Sequence, residues 1–278
     1  MTSILSSTYG AAATGAKRFR LIACEIVYRE LCLAVARAPH IIDLEFLPKG
    51  LHDLPSDRMR LMIQERLDAA DRKLYSTLLL GYGLCNNGVV GLTGRDLPLV
   101  LPRAHDCITF FMGSRATYQV YFDSHPGTIY RTTGWSERNF ANVEGSVYER
   151  TGLDRSYEEC VELYGEENAR YISETLRSWT KNYANLAFID MGLVAELGYE
   201  EAARAHAREN AWTFEKLPGD WTLLEKFVRA EWDEEDFLVV PPGHRIAAST
   251  DSRIVRAEKI ERDGDSPLSC VAEEGRRA

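Results

Sequence analysis

The chain has 278 residues, 45% of them hydrophobic, enough apolar material for one large packed domain or two smaller ones. A formal net charge of -9, with no basic run interleaved with aromatics, argues against nucleic acid and anionic membrane as partners. No apolar stretch reaches the roughly 20 residues of a membrane-spanning helix, and the N-terminus lacks the basic-then-apolar order of a secretory signal.

Residues 1–17 read as a flexible leader. Residues 18–23 (RFRLIA) read as a buried strand that ends at Cys24, and residues 25–36 carry Ile26, Leu31, Leu33 and Val35 at helical spacing. A second strand is expected at 41–47 and a helix at 57–73. A third strand at 77–80 runs into the turn-rich loop GYGLCNNG (81–88), and a fourth lies within 97–102. Strands separated by helices of this length predict parallel pairing through right-handed crossovers. The stretch from about 135 to 183 reads as helical. A second α/β series follows: a strand at 186–189, a helix at 199–210, a strand at 212–216, a helix from 219 to about 230, and a strand at 237–240 closed by Pro241-Pro242-Gly243. The predicted fold is α/β, with a parallel Rossmann-like sheet and helices on both faces. Its expected parts are a first lobe at 18–135, a helical segment at 136–183, a second lobe at 184–250 and a charged mobile tail at 251–278.

Six cysteines without a secretory signal predict a reducing, cytoplasmic setting in which thiols are free, reactive or metal-bound. Ligands of an open parallel sheet bind beyond the carboxyl ends of its strands. Cys24 ends the first predicted strand. Tyr82, Cys85, Asn86 and Asn87 follow the third. Arg103, His105, Asp106 and Cys107 follow the fourth, and Asp190 ends the first strand of the second series. Thiolate and imidazole are the ligands of zinc and of iron–sulfur clusters. Cys24, Cys85, Cys107 and His105 are therefore the candidate metal ligands, for zinc or for a cluster. Asp106, Glu25 and Asp190 are candidates for supporting or catalytic carboxylates. Tyr82, Asn86, Asn87 and Arg103 are candidates for contacts to a ligand, with Arg103 suited to an anion.

The competing reading is packing, since a free cysteine behaves as a small hydrophobe. Cys32 and Cys160 sit among apolar helical neighbours and fit that reading, and Cys270 lies in the tail. Glu25 and Arg29 could be no more than a surface ion pair one helical turn apart. His52-Asp53, in a turn before Pro55, reads as a solvated loop, with the orienting of a ligand as the alternative. Trp135 either covers a ligand or packs a corner, and His244 is a weaker ligand candidate. GxGxxG, GxxxxGK[ST], HExxH and GxSxG are all missing.

Several segments resemble, as a set, a bacterial and archaeal family catalogued as domain of unknown function 1638. They are ACEIVYREL (23–31), IDLEFLPKGLHDLP (42–55), LLLGYGLCNNGVVGL (78–92), LVLPRAHDCITFFMGS (99–114), PGTIYRTTGW (126–135) and NLAFIDMG (185–192). The resemblance runs over about residues 18–245 and brings no established reaction with it. Its members are often encoded near corrinoid-dependent methyltransferases and corrinoid proteins, which implies a link by association to anaerobic one-carbon metabolism. Thiol methyltransferases of that pathway hold zinc with an H-x-C step and a distant cysteine. His105-x-Cys107 with Cys85 or Cys24 is similar in ligand type. Here the remote cysteines come before the H-x-C, so the likeness is one of chemistry and not of descent.

Two classes of function follow. One is a metal-centre enzyme that activates a thiol for methyl or sulfur transfer, meeting any corrinoid only on a partner protein or methyltransferase. The other is non-catalytic: a metallochaperone or accessory protein, or a two-lobed small-molecule-binding protein with buried cysteines. Oligomeric state stays open, a homo-oligomer included.

Overall fold

A computed structural model describes residues 15–138, 157–171 and 183–261. The leader up to residue 14, most of the predicted helical middle and the tail beyond 261 lie outside the described residues.

The main sheet is built by β1 (Arg18–Cys24), β2 (Ile41–Leu47), β3 (Thr77–Gly81), β4 (Leu99–Pro102) and β8 (Phe237–Val240), in the order β2-β1-β3-β4-β8. The first four strands are parallel, and β8 closes the edge antiparallel to β4. The central strands read as unbroken apolar runs because both faces are covered: every residue of β3 and β4 is buried. Helix α1 (Tyr28–Ala36) links β1 to β2, and α2 (Ser56–Asp68) links β2 to β3. These two connections run in opposite directions along the sheet, so right-handed crossovers put the two helices on opposite faces. This reversal makes the place between β1 and β3 a topological switch point, the position outside the strands' carboxyl ends where open α/β sheets bind their ligands.

The second sheet is parallel, in the order β5-β6-β7, from β5 (Thr128–Arg131), β6 (Asn185–Asp190) and β7 (Thr213–Pro218). Strand β6 joins it to the rest of the molecule by simple alternation. Ala187 and Ile189 face the main core, while Leu186 and Phe188 face α7 (Tyr199–Glu209), where Ala203 and Ala207 complete a small second cluster. The two series of elements therefore share one core and also exchange strands. Strand β5 falls within the predicted first lobe but belongs to the second sheet, and β8 from the predicted second lobe finishes the first.

Short helices α3 (Ile108–Phe111), α4 (Arg115–Ser124) and α5 (Thr133–Glu137) follow β4 and β5, and α6 (Tyr157–Tyr164) lies in the described part of the helical middle. Helix α8 (Thr222–Val228) packs beside α1. Part of the stretch assigned to the charged tail is ordered. Val255–Lys259 forms β10, antiparallel to β9 (His244–Ala248), because Val255 and Ile254 have core to bury in while the charged residues face out. Arg103 fixes this hairpin. Its guanidinium donates to the backbone carbonyls of Glu234, Phe237, Arg253 and Val255. Its Nε and Nη1 donors are engaged by the fold, which accounts for its burial.

Glu30 is the anomaly of the core. It is fully buried in α1, and neither carboxylate oxygen has a hydrogen-bond partner among the described residues. Burial, with a smaller push from Glu137, raises its pKa to about 7. Between the ordinary 4.5 and about 7 the folded chain holds a proton that the unfolded chain releases, so stability falls as pH rises through that window. We expect Glu30→Gln to gain stability over the native chain between pH 4 and pH 8, by about 3 kcal/mol at about 1.4 kcal/mol per pKa unit. Urea denaturation at the two pH values measures it. Parallel pH profiles for the two proteins would contradict this account of Glu30.

Candidate functional site

The loops after β3 and β4 are zipped together beyond the sheet. The Leu84 N–H donates to the Ala104 carbonyl at 2.7 Å, and the Cys85 N–H to the His105 carbonyl at 3.0 Å. Gly83 makes this approach feasible, since a Cβ there would lie 2.9 Å from the Asp106 backbone. Cys85, Asn86 and Asn87 then take three successive left-handed conformations, with φ of 45°, 55° and 64°. Asparagine tolerates this region, but cysteine does so at a cost of about 1–2 kcal/mol. A strained thiol-bearing residue at a strand end is a mark of a functional loop.

Cys24, Cys85 and Cys107 come together at this rim. Charge on Cys24 is felt at Cys85, and charge on both is felt at Cys107. They are 2%, 8% and 7% exposed. Burial is the main force on each thiol. It pushes Cys24 up to about 12, and Cys85 and Cys107 also well above the usual thiol range. All three are therefore neutral thiols near neutral pH.

Three further residues touch or face the thiols. Tyr82 is buried among them, and its hydroxyl has no hydrogen-bond partner among the described residues. Both Cys24 and Cys85 act on it electrostatically. His52, on the 3₁₀ turn Lys49–Asp53 after β2, places Nε2 3.5 Å from Cys24 Sγ. Desolvation, then Lys49, lowers His52 to about 4, so its imidazole is neutral and keeps a lone pair. Trp135 stacks on His52 at 6.5 Å and donates its indole N–H to Cys107 Sγ at 3.4 Å. Trp135 reaches this place because Thr132 caps α5 and Gly134 lets α5 press on the turn after Cys24. A Cβ on Gly134 would lie 1.7 Å from the Ile26 carbonyl oxygen.

The carboxylates divide. Glu25 accepts from the Lys49 N–H at 2.8 Å and lies 3.8 Å from Arg138, bracing the end of β1 against the turn after β2. Asp106 accepts from the Ile108 N–H and from the Tyr118 hydroxyl. Burial raises its pKa despite these bonds, and it sits beside Cys107. Asp190 is held by Lys216 and by the Gly192 N–H at the second sheet, and no contact of its side chain reaches the thiols. Asn86 and Asn87 are exposed on the outer side of the loop, and His105 is exposed as well. The histidine on a thiol is thus His52, which the sequence reading placed in a solvated turn. Its signal was the spacing from β2: five residues past the strand end, on the rim where ligands bind.

Among the described residues, no group of three or more His, Cys, Asp or Glu side chains is arranged to hold a metal ion as it stands. No helix there is long and apolar enough to cross a membrane.

A family model described as "Protein of unknown function (DUF1638)" matches residues 46–228. No curated protein and no solved structure matches the chain.

With such raised pKa values, fewer than about one Cys24 thiol in ten thousand is ionised at pH 7.5. Iodoacetamide at that pH is expected to label half-buried Cys32 well before Cys24, Cys85 or Cys107 in metal-free protein. Residue-resolved mass spectrometry follows the order, and early labelling of the three rim thiols would contradict it.

Proposed function

Because the chain belongs to the family described as protein of unknown function (DUF1638), whose description assigns no reaction, we propose a function from the site itself: a thiophilic metal centre that activates a thiol for methyl or sulfur transfer. The observation that carries this reading is the convergence of three buried thiols on the switch point of the sheet, around a tyrosine hydroxyl that has no hydrogen-bond partner among the described residues. A buried hydroxyl left unpaired costs about 1–3 kcal/mol. A sulfur that becomes anionic in front of Tyr82 would remove that cost.

In this reading Cys24, Cys85 and Cys107 hold the metal and leave its fourth position to the substrate thiol, while the neutral imidazole of His52 supports Cys24 from the side. Side-chain rotation must close the set, since the side chains as they stand are not arranged for an ion. A bound zinc would supply Lewis acidity, lowering the pKa of a substrate thiol. The remaining roles belong to the chain. The Tyr82 O–H and the Trp135 N–H donate to sulfur and favour its anionic form. Asp106 holds the loop that carries Cys107, and Glu25 holds the turn that carries His52. The methyl donor would come from a partner, with a corrinoid protein as the candidate.

Burial favours this reading over metal delivery, because a chaperone must release its cargo from an exposed site and these thiols are closed off. Three cysteines would equally suit an iron–sulfur cluster with one open iron.

The test is metal and acid-labile sulfide analysis of protein purified without oxygen, with its visible spectrum. About one colourless zinc per chain supports thiol activation. Iron with sulfide and a brown colour keeps the thiol centre but makes it a cluster. Cys107→Ala and His52→Ala are expected to weaken metal binding at least about tenfold, and His105→Ala to leave it unchanged. A chain that takes up no metal after anaerobic reconstitution overturns the proposal, as does full occupancy in Cys107→Ala.

A further inference from the structure

Two cations stand beside the thiol rim, one from each sheet. Arg131 ends β5, four residues before the Trp135 that touches Cys107. Lys49 opens the 3₁₀ turn after β2, three residues before the His52 that touches Cys24. The Lys49 Nζ lies 5.2 Å from the centre of the Trp135 ring, and the two cations are close enough to repel.

Their surroundings differ. Lys49 has carboxylates near it, Asp53 first and then Glu25. Arg138, the next cation along, has Glu25 at 3.8 Å and the Tyr28 ring beneath it. Arg131 has no hydrogen bond, ion pair or ring contact among the described residues, and it is half-buried. Desolvation lowers its pKa. A guanidinium has five N–H donors in a planar fork and cannot shed its charge. A fold that partly withdraws one from water without a protein acceptor, and sets a lysine beside it, leaves donors turned to solvent that a bound oxyanion would engage.

We infer that the thiol site takes a small molecule bearing an oxyanion, a carboxylate or a phosphate, with Arg131 and Lys49 gripping that group while the other end lies at the thiols over Trp135. The position of the reacting end rests on the thiol-centre reading; the oxyanion site does not. It is formed by the C-terminal edge of β5 and the turn after β2, so a molecule bound this way bridges the two sheets.

The test uses inorganic phosphate as the probe, with chloride at equal ionic strength as the control. Phosphate is expected to raise the thermal unfolding midpoint saturably in the native chain and in Cys107→Ala. Arg131→Gln is expected to weaken that response at least about tenfold, the scale of one lost charge-assisted pairing. Arg131→Lys, which keeps the charge and loses the fork, is expected to fall between, and Lys49→Met to weaken binding with Arg131 intact. A second arm compares 3-mercaptopropionate with 3-mercapto-1-propanol, and the carboxylate is expected to bind more tightly only while Arg131 is present. Phosphate that fails to bind saturably, or that binds Arg131→Gln as well as the native chain, overturns the inference. Phosphate binding in a chain that takes up no metal leaves the oxyanion site standing and removes the thiol centre.

Discussion

The rim depends on one backbone contact, the pairing of the loop after β3 with the loop after β4. Two N–H···O bonds, from Leu84 to Ala104 and from Cys85 to His105, continue the strand pairing past the sheet's edge. They set Cys85 against the segment that carries Cys107. Gly83 permits the approach because a side chain there would meet the Asp106 backbone. The same pairing turns His105 outward, since its carbonyl is committed to Cys85 and its ring lies in solvent. In an extended segment the two side chains of an H-x-C step share a face. At a spacing of two, the bend at Asp106, capped onto the Ile108 N–H, breaks the expected alignment.

Desolvation is the second constraint, and it acts on the three thiols, His52, Tyr82 and Asp106 in the direction of neutrality. The thiols are pushed up, His52 down, Tyr82 up and Asp106 up. Such a site has little charge of its own and a high gain from any charge brought to it, because interactions strengthen as water is excluded. Arg131 is the exception, since a guanidinium cannot become neutral. The rim thus combines groups that can adopt charge when a partner arrives with one that must carry charge throughout.

The fold was readable where residues are buried on both faces. Residues 21–24 (LIAC) and 78–81 (LLLG) are apolar without interruption, as a strand covered on both faces requires. Strand-end reasoning then placed Cys24, Cys85 and Cys107 on one rim, and Tyr82 with them. What could not be read has a common cause. β5 is four half-buried residues, β10 is mostly charged, and α4 carries Val120 and Phe122 outward. Their structure comes from neighbours, not from a pattern of their own. His52 ranked below a solvated loop for a related reason. Its burial is supplied by Trp135, eighty-three residues later in the chain, and local sequence around LHDLP resembles any exposed turn. Asp190 shows the converse error, since a correct strand end does not say which sheet the strand joins.

The exchange of strands explains why the second sheet matters to a site formed by the first. β8 seals the main sheet, and β5 carries its own chain onward into α5, which is pressed onto the turn after Cys24. Trp135 and Arg131 are therefore fixed with respect to the thiols by backbone contact on one side and by β5–β6 pairing on the other. Ala187 and Ile189 of β6 anchor that pairing in the main core. A shift of the second sheet would move the indole on Cys107 and the guanidinium at the rim together. Whatever binds across the rim is held by both sheets at once, and its binding free energy is available to bring their edges closer. On the proposed reading, that coupling would give a physical route for drawing together thiols that, as they stand, are not arranged to hold an ion.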